Sequence, residues 1–521
     1  MTALPPSVPA ALGATARRVP GQEAVVDGAT RLTYGELDAL ATDVARALIA
    51  RGIRRGDTVA IWAQNSWQWC VAALGLQAAG AVLIPINTRF RGAEAADILC
   101  RSEARLLFTT RGFLGADYPA MLRAAAPDLA SLPVVVVDGD AGDDESWPSF
   151  LGSGSAVAEE VAADRRAEIG PDDLADIVYT SGSTGAPKGV MQSHGNVMLA
   201  MTSFSDARTI TEDDRALVLA PMFAQFGLRW IDAYVIYGGT IVTQAVFEPA
   251  RMYELLSAER ITDFAGPPTL MAALLAPPAA AFDLSALRVG VIGSTSVPPD
   301  LVRGLLDNKI FDHVFTAWGL TEACGPLSIA PVDADPERIA HYAGRPLPHV
   351  KLRVVKDDGT VGGPGEEGEL QALNPTNMLG YLGEPGLTAQ TLVDGGWLRT
   401  GDIGVIDADG WVKVTDRLKD LIIVGGFNVA SAEVETKLRT HPGIAEAAVV
   451  AMPDERLGEV PAAFVVARPG VDLDPEQVVA WTQTEMANFR VPRHVEVVEK
   501  LPLNASLKVD KIALRERAQT F

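Results

Sequence analysis

Cysteine is scarce in this chain. Its 521 residues contain only Cys70, Cys100 and Cys324. An odd number at wide spacing excludes a disulfide framework and a paired-cysteine zinc site, and it points to a reducing cytoplasm. Positive charge is also in deficit. Lysine and arginine total 44 against 66 aspartates and glutamates, a net charge of −22. That balance argues against nucleic acid and against an anionic membrane surface as partners. A polyanionic substrate would have to be met by local lysines and arginines. Long apolar runs are lacking too. Trp69 to Ile86 is uncharged, but Gln77, Gly80 and Pro85 break it, so it reads as a core helix followed by a strand and not as a membrane insertion. No secretory leader pattern opens the chain, and there are no internal repeats or low-complexity tracts.

What is present is the composition of a globular enzyme, 48% apolar and 21% charged, on a chain too long for one core. Residues 1–170 alternate helical and strand patterns. Thr33 caps a helix that runs to Arg51, with Glu36 three residues later. Val59–Trp62 and Ala81–Ile84 read as strands of one βαβ unit. The alternation continues through residues 175–345 and predicts parallel sheet covered by helices on both faces. Residues 346–415 break into short strands between Gly, Pro and Asp clusters, a small antiparallel β subdomain. From Asp416 the pattern becomes α+β, with a helix from Ser431. The expected fold class is therefore α/β: a large N-terminal domain, residues 1–415, and a small mobile α+β domain, residues 416–521.

One stretch organises the rest: Tyr179-Thr-Ser-Gly-Ser-Thr-Gly-Ala-Pro-Lys-Gly-Val190. It follows an apolar run, Ala175 to Tyr179, that reads as a buried strand, and it precedes a helix pattern from His194. Gly182, Gly185 and Gly189 can take positive φ and let backbone N–H groups converge. With the hydroxyls of Ser181, Ser183 and Thr184 they form a cradle for phosphate oxygens, and Lys188 adds a compact positive charge. A solvated Ser/Gly-rich loop is the bland alternative, but such a loop needs neither the strand before it nor the stiff Pro-Lys-Gly ending. Walker A spacing fails, because five residues beyond Gly182 stands Pro187.

These twelve residues resemble the phosphate-binding signature of the adenylate-forming superfamily, which holds acyl-CoA synthetases, aryl-CoA ligases, peptide-synthetase adenylation domains and firefly-type luciferases. Companion motifs follow in order. Ala317-Trp-Gly-Leu-Thr-Glu322 is similar to the family's aromatic-Gly-x-Thr-Glu motif. There the aromatic, here Trp318 in place of the usual Tyr, covers adenine beside Gly319. The resemblance gives Thr321 the α-phosphate and Glu322 a magnesium ion. Gly293-Ser294-Thr-Ser296 resembles the segment along the purine and the acyl group, although a simple turn would read the same. Thr400-Gly-Asp402 followed by Asp416-Arg417-Leu-Lys419 implies that Asp402 binds the ribose hydroxyls, that Arg417 reaches ribose and phosphate, and that Lys419 is the hinge. Gly425 and Gly426 would line the pantetheine tunnel. Lys508 stands in the terminal catalytic loop, where it would bridge carboxylate and α-phosphate. Leu507 occupies a position where the family has Gly, and a requirement for positive φ there would strain it.

The resemblance implies ATP, Mg²⁺ and a carboxylic acid as substrates, acyl-AMP as intermediate, and either CoA or the phosphopantetheine arm of an acyl carrier protein as thiol acceptor. It allows a homodimer. Thr180 and Thr184 join the phosphate site. The acyl pocket falls on Pro221 to Asp232, with Phe223, Ala224 (where His is frequent), Phe226, Gly227 and Asp232, together with Leu320. Asp232 has two readings. It can pair with Arg229, three residues back on the same helix face, or it can bind an ammonium on the substrate, as in stand-alone enzymes that load β-amino acids. A nucleotide-binding protein without ligase activity is a third reading.

Overall fold

The computed structural model describes residues 4–180, 187–293, 297–417, 420–424, 427–454, 456–486, 488–504 and 508–521, without the side chains of 417, 423, 427 and 428. The chain packs as two compact units. One holds Met1–Lys351 with Ala372–Leu398, and the other holds Leu352–Gln371 with Arg399–Phe521.

The first unit contains two large sheets. One has β1 (Thr58–Trp62), β2 (Val82–Pro85), β3 (Leu106–Thr110) and β4 (Val134–Asp138) in parallel with β5 (Leu174–Thr180). Strand β6 (Lys188–Ser193) then adds antiparallel to β5. The other is a parallel run of β7 (Arg215–Val218), β8 (Thr240–Thr243), β9 (Asp263–Gly266), β10 (Val289–Ile292) and β11 (His313–Leu320), to which β12 (Gly325–Ile329) returns antiparallel. Helices α1 (His194–Ala207) and α2 (Gln225–Tyr237) pack on each other. The parallel strands are largely buried, as strands covered on both faces must be; every residue of β2, β3 and β10 is buried.

Local signals translate directly. Thr33 and Glu36 exchange both hydrogen bonds of a capping box at the head of helix Tyr34–Ala50. The uncharged run from Trp69 divides into helix Trp67–Ala78 and strand β2. Among the described residues no helix is long and apolar enough to cross a membrane. One expectation needs correction. The glycine-rich stretch does not run from strand to helix. The strands on either side of it, β5 and β6, pair antiparallel, and α1 begins only after β6, capped by Ser193. Six residues, Lys188–Ser193, are too few for a periodic signal, and their strand form comes from pairing with β5.

The second unit contains most of β13 (Glu367–Leu373) and of β14 (Trp397–Ile406), and β15 (Val412–Arg417), where β14 and β15 pair antiparallel, followed by α3 (Ser431–Arg439) and the long hairpin β16 (Ile444–Asp454) and β17 (Gly458–Ala467). Val434, Leu438, Val449, Val465 and Val478 form its own apolar core.

Candidate active site

In the first unit the motif residues gather at the carboxyl ends of β7, β10 and β11, where open α/β sheets bind ligands. Parallel register sets Ile292 beside Thr316, so Gly293 follows next to Ala317; a Cβ on Gly293 would lie 4.0 Å from the Ala317 carbonyl oxygen. Trp318, Gly319 and Leu320 close β11, and Thr321 and Glu322 form the tight turn into β12. Gly319 is required there, because a Cβ would stand 2.1 Å from the Gly325 carbonyl oxygen. Past β7, Phe223 is buried and Ala224 opens α2. Phe226 packs against Trp230 at 4.6 Å between ring centres. Gly227 is likewise forced, 2.3 Å from the Pro221 carbonyl oxygen if it carried a Cβ.

The hairpin and the Thr-Glu turn meet through side chains. Thr180 and Lys188 are cross-strand partners at the mouth of the hairpin. Lys188 Nζ lies 5.5 Å from the centre of the Tyr381 ring. The Tyr381 hydroxyl donates to Glu322 Oε1 at 2.8 Å, and the Met378 N–H donates to the Glu322 carbonyl at 2.7 Å. Burial, then the nearby Glu322 charge, raise Tyr381 above the ordinary phenol range, so it remains a donor. Glu322 is thus a half-buried carboxylate with its backbone and one oxygen fixed. A hard oxygen donor in that setting suits a magnesium ion that takes its other ligands from phosphates and water.

Behind this turn lies a buried charge network. Asp176 and Gln192 are partners across β5 and β6. Both face Arg229 on α2, whose Nη2 donates to Asp176 Oδ1 and Oδ2 at 2.9 Å each and to Gln192 Oε1, while Nη1 donates to Asp232 Oδ2 at 2.7 Å. Gln192 Nε2 donates to the Thr321 carbonyl. The side chains of Asp176, Arg229 and Asp232 are at most 3% exposed. Burial pushes Asp232 up to about 6 against the pull of Arg229. Burial would lower Arg229, but the two carboxylates hold it well above its ordinary value. Of the two sequence readings of Asp232, the ion pair with Arg229 is the one in place.

In the second unit Asp402 is buried on β14 and opposes Arg417 on β15. Its neighbour Gly401 donates its N–H to Glu369 Oε1 at 3.3 Å, and Arg399 pairs with Glu369 Oε2 at 3.0 Å, which holds the Thr400–Asp402 corner. Lys508 is exposed and exchanges bonds with Asn504: its N–H donates to Oδ1 at 3.1 Å, and its carbonyl accepts from the Asn504 N–H at 2.7 Å. Ser181, Gly182, Ser183, Thr184, Gly185, Ser294, Lys419, Gly425, Gly426 and Leu507 lie outside the described residues, as does the Arg417 side chain. Sequence reasoning missed Tyr381 and Gln192. Gln192 did leave a trace, a polar residue sharing a strand face with apolar Val190.

The model of AMP-binding enzymes matches residues 12–382, and that of the AMP-binding enzyme C-terminal domain matches residues 433–508. The chain belongs to the AMP-binding enzyme family. Two relatives, from Mycobacterium tuberculosis and Rhodococcus jostii, are both named 3-[(3aS,4S,7aS)-7a-methyl-1,5-dioxo-octahydro-1H-inden-4-yl]propanoyl:CoA ligase. The first is 43% identical over 98% of each chain, the second 40% identical over 99% of each. A solved anthranilate CoA ligase in complex with anthranoyl-AMP superposes with a TM-score of 0.88 at 27% identity, covering 99% of this chain and 98% of that one. This member of the family is an adenylate-forming ligase. It activates a carboxylic acid with ATP to acyl-AMP, releasing pyrophosphate, and passes the acyl group to a thiol.

Proposed function

We propose that the acid is neutral apart from its carboxylate and alicyclic, a fused-ring propanoic acid of the kind named for the two relatives, and that the thiol is CoA. The observation that carries this reading is the pairing of Asp232. A carboxyl that faces Arg229 and is pushed up to about 6 by burial offers little to a substrate ammonium. The pocket positions Phe223, Ala224, Phe226, Gly227, Gly293 and Leu320 are apolar or small, which suits a bulky hydrocarbon frame. Loading a β-amino acid onto a carrier protein is the reading this pairing disfavours.

Both reactants are anions, and the acid is already ionised at neutral pH, so no general base is required. The chemistry calls for charge neutralisation and in-line placement. Lys188 and the hairpin amides, with Thr184, would hold the phosphates. Thr321 would contact the α-phosphate, Trp318 the adenine, and Asp402 and Arg417 the ribose. A magnesium ion, held by Glu322, would neutralise phosphate charge. Lys508 would bridge the carboxylate and the α-phosphate as the acyl–oxygen–phosphorus bond forms and pyrophosphate leaves. In this proposal residues 416–521 then turn about Lys419, withdrawing Lys508 and bringing Gly425 and Gly426 beside the pantetheine arm.

The test is acid-dependent exchange of pyrophosphate into ATP across fatty, aryl, fused-ring and amino acids, followed by thioester formation with CoA. Fused-ring propanoic acids should support exchange best, with AMP released only when CoA is added. Exchange with amino acids alone would overturn the substrate class. Lys508→Ala should slow exchange by about 100-fold or more, the scale of losing one transition-state donor, while CoA still accepts the acyl group from supplied acyl-AMP. Equal loss of both steps would remove Lys508 from that role.

A further inference from the structure

The Asp176–Arg229–Asp232 cluster is expensive to bury, because three ionisable groups leave water together. Packing alone gives no reason for it, since an apolar residue would fill the Arg229 position on α2 as well. Its geometry supplies one. A guanidinium only donates, so the Gln192 amide must turn its oxygen toward Arg229 and its NH₂ the other way. The other way is the Thr321 carbonyl. Gln225 Nε2 approaches the same Gln192 oxygen at 3.5 Å and reinforces that orientation. The donor side of Gln192 therefore ends on the main chain of the turn that carries Glu322, and Tyr381 and Met378 hold that turn from its far side.

We propose that Gln192, oriented by Arg229, is a positioning residue for the nucleotide step: it fixes the Thr321–Glu322 turn between the hairpin strands and α2. This rests on the reading of Thr321 and Glu322 as the α-phosphate and magnesium contacts. Because α2 also carries the acyl-pocket positions, the link ties the floor of that pocket to the phosphate site. Arg229 acts through Gln192 and touches neither substrate. Its charge sets which way the amide faces, and the two aspartates set where the guanidinium lies.

The test compares the two half-reactions in the full-length enzyme. Gln192→Met keeps the volume and removes the donor. Acid-dependent pyrophosphate exchange should fall by between about 10- and 100-fold, the cost of a small displacement in a phosphoryl-transfer site. Much of that fall should appear as a raised KM for magnesium-ATP. Transfer from supplied acyl-AMP to CoA should fall much less, because magnesium and the pyrophosphate it binds have no part in it and only the Thr321 contact to the retained α-phosphate is shared. Arg229→Lys keeps the charge that turns the amide, so it should retain the ratio of the two half-reaction rates even where thermal stability drops. Parallel loss of both half-reactions in Gln192→Met, or no loss of exchange, would overturn the proposal. Absence of acid-dependent exchange in the unsubstituted enzyme would instead overturn the functional reading beneath it.

Discussion

Two buried arginines in the first unit, one at each end of the β7–β12 sheet, meet aspartate in different ways. Arg229 sits behind the carboxyl ends of the strands and makes donor bonds to two carboxylates and to Gln192. Arg208, at the end of α1, is wholly buried and bonds Asp263 Oδ2 at 2.6 Å at the start of β9. It lies against the rings of Phe204 and Trp230, at 4.3 and 4.7 Å from their centres. Among the described residues, Arg208 Nε and Nη2 and Asp263 Oδ1 find no hydrogen-bond partner. Trp230 and Arg229 are neighbours on one helix, so α2 sends adjacent side chains to the two clusters. The lesson lies in where each cluster leads. The Arg229 bonds run on through Gln192 to the Thr321 carbonyl, in the turn proposed to meet the nucleotide. The Arg208 bonds run to Tyr234, whose hydroxyl donates to Asp263 at 2.9 Å, and stop in the core.

The sharpest way to break this contrast is to remove Arg208. Arg208→Met fills the space but leaves Asp263 buried without its cation, a loss of about 3–5 kcal/mol. Denaturant unfolding should register it. The ratio of adenylation to thioester formation should be untouched, because among the described residues no bond of that cluster leads to the Thr-Glu turn. A change in the ratio would show that the amino ends of the strands also speak to the site, and the contrast would fail.

Much of this architecture was legible, and the illegible parts have a common cause. The capping box at Thr33, the helix from Ser431 and the run of parallel strands are local or periodic signals, and they folded as read. The Asp232–Arg229 pair was legible because i,i+3 residues share a helix face. The hairpin β5–β6 was not, since six residues around Gly189 have no period of their own. Arg208–Asp263 is 55 positions apart in sequence and carries no motif. Gln192 and Tyr381 are single polar residues on strands, given meaning only by what packs across from them. The motif positions stood out along the chain by residue type, whereas the contacts that hold them in place did not.

The next effect in size tests the Arg229 side through pH. Asp232 is pushed up to about 6 in the fold, mainly by burial. Its unfolded value is about 3.9. The folded state therefore binds more protons than the unfolded one between these values, and stability must fall as pH rises from about 4 to 6. At about 1.4 kcal/mol per pKa unit the fall is at most about 3 kcal/mol. Asp232→Asn removes this titration. The difference between the two proteins in stability against pH should slope across that window and be flat above pH 7. A difference that is flat throughout would mean that Asp232 stays ionised beside Arg229, and the cluster would then resemble the Arg208 pair in charge as well as in burial.

The smallest expected effect asks how far the carboxyl-end network extends past the turn. Tyr381→Phe deletes one hydroxyl that donates to Glu322 and leaves the ring beneath Lys188 in place. A hydrogen bond to a charged group contributes about 1.5–3 kcal/mol when buried. Glu322 is only half-buried, so the low end applies, equivalent to about a 10-fold slower pyrophosphate exchange. The loss should shrink as magnesium is raised, because the hydroxyl holds the carboxylate in position for the ion and takes no part in bond formation. Transfer from acyl-AMP should not change. If exchange instead falls equally at every magnesium concentration, Tyr381 bears on the phosphates through Lys188, and the ring, not the hydroxyl, is the part that matters.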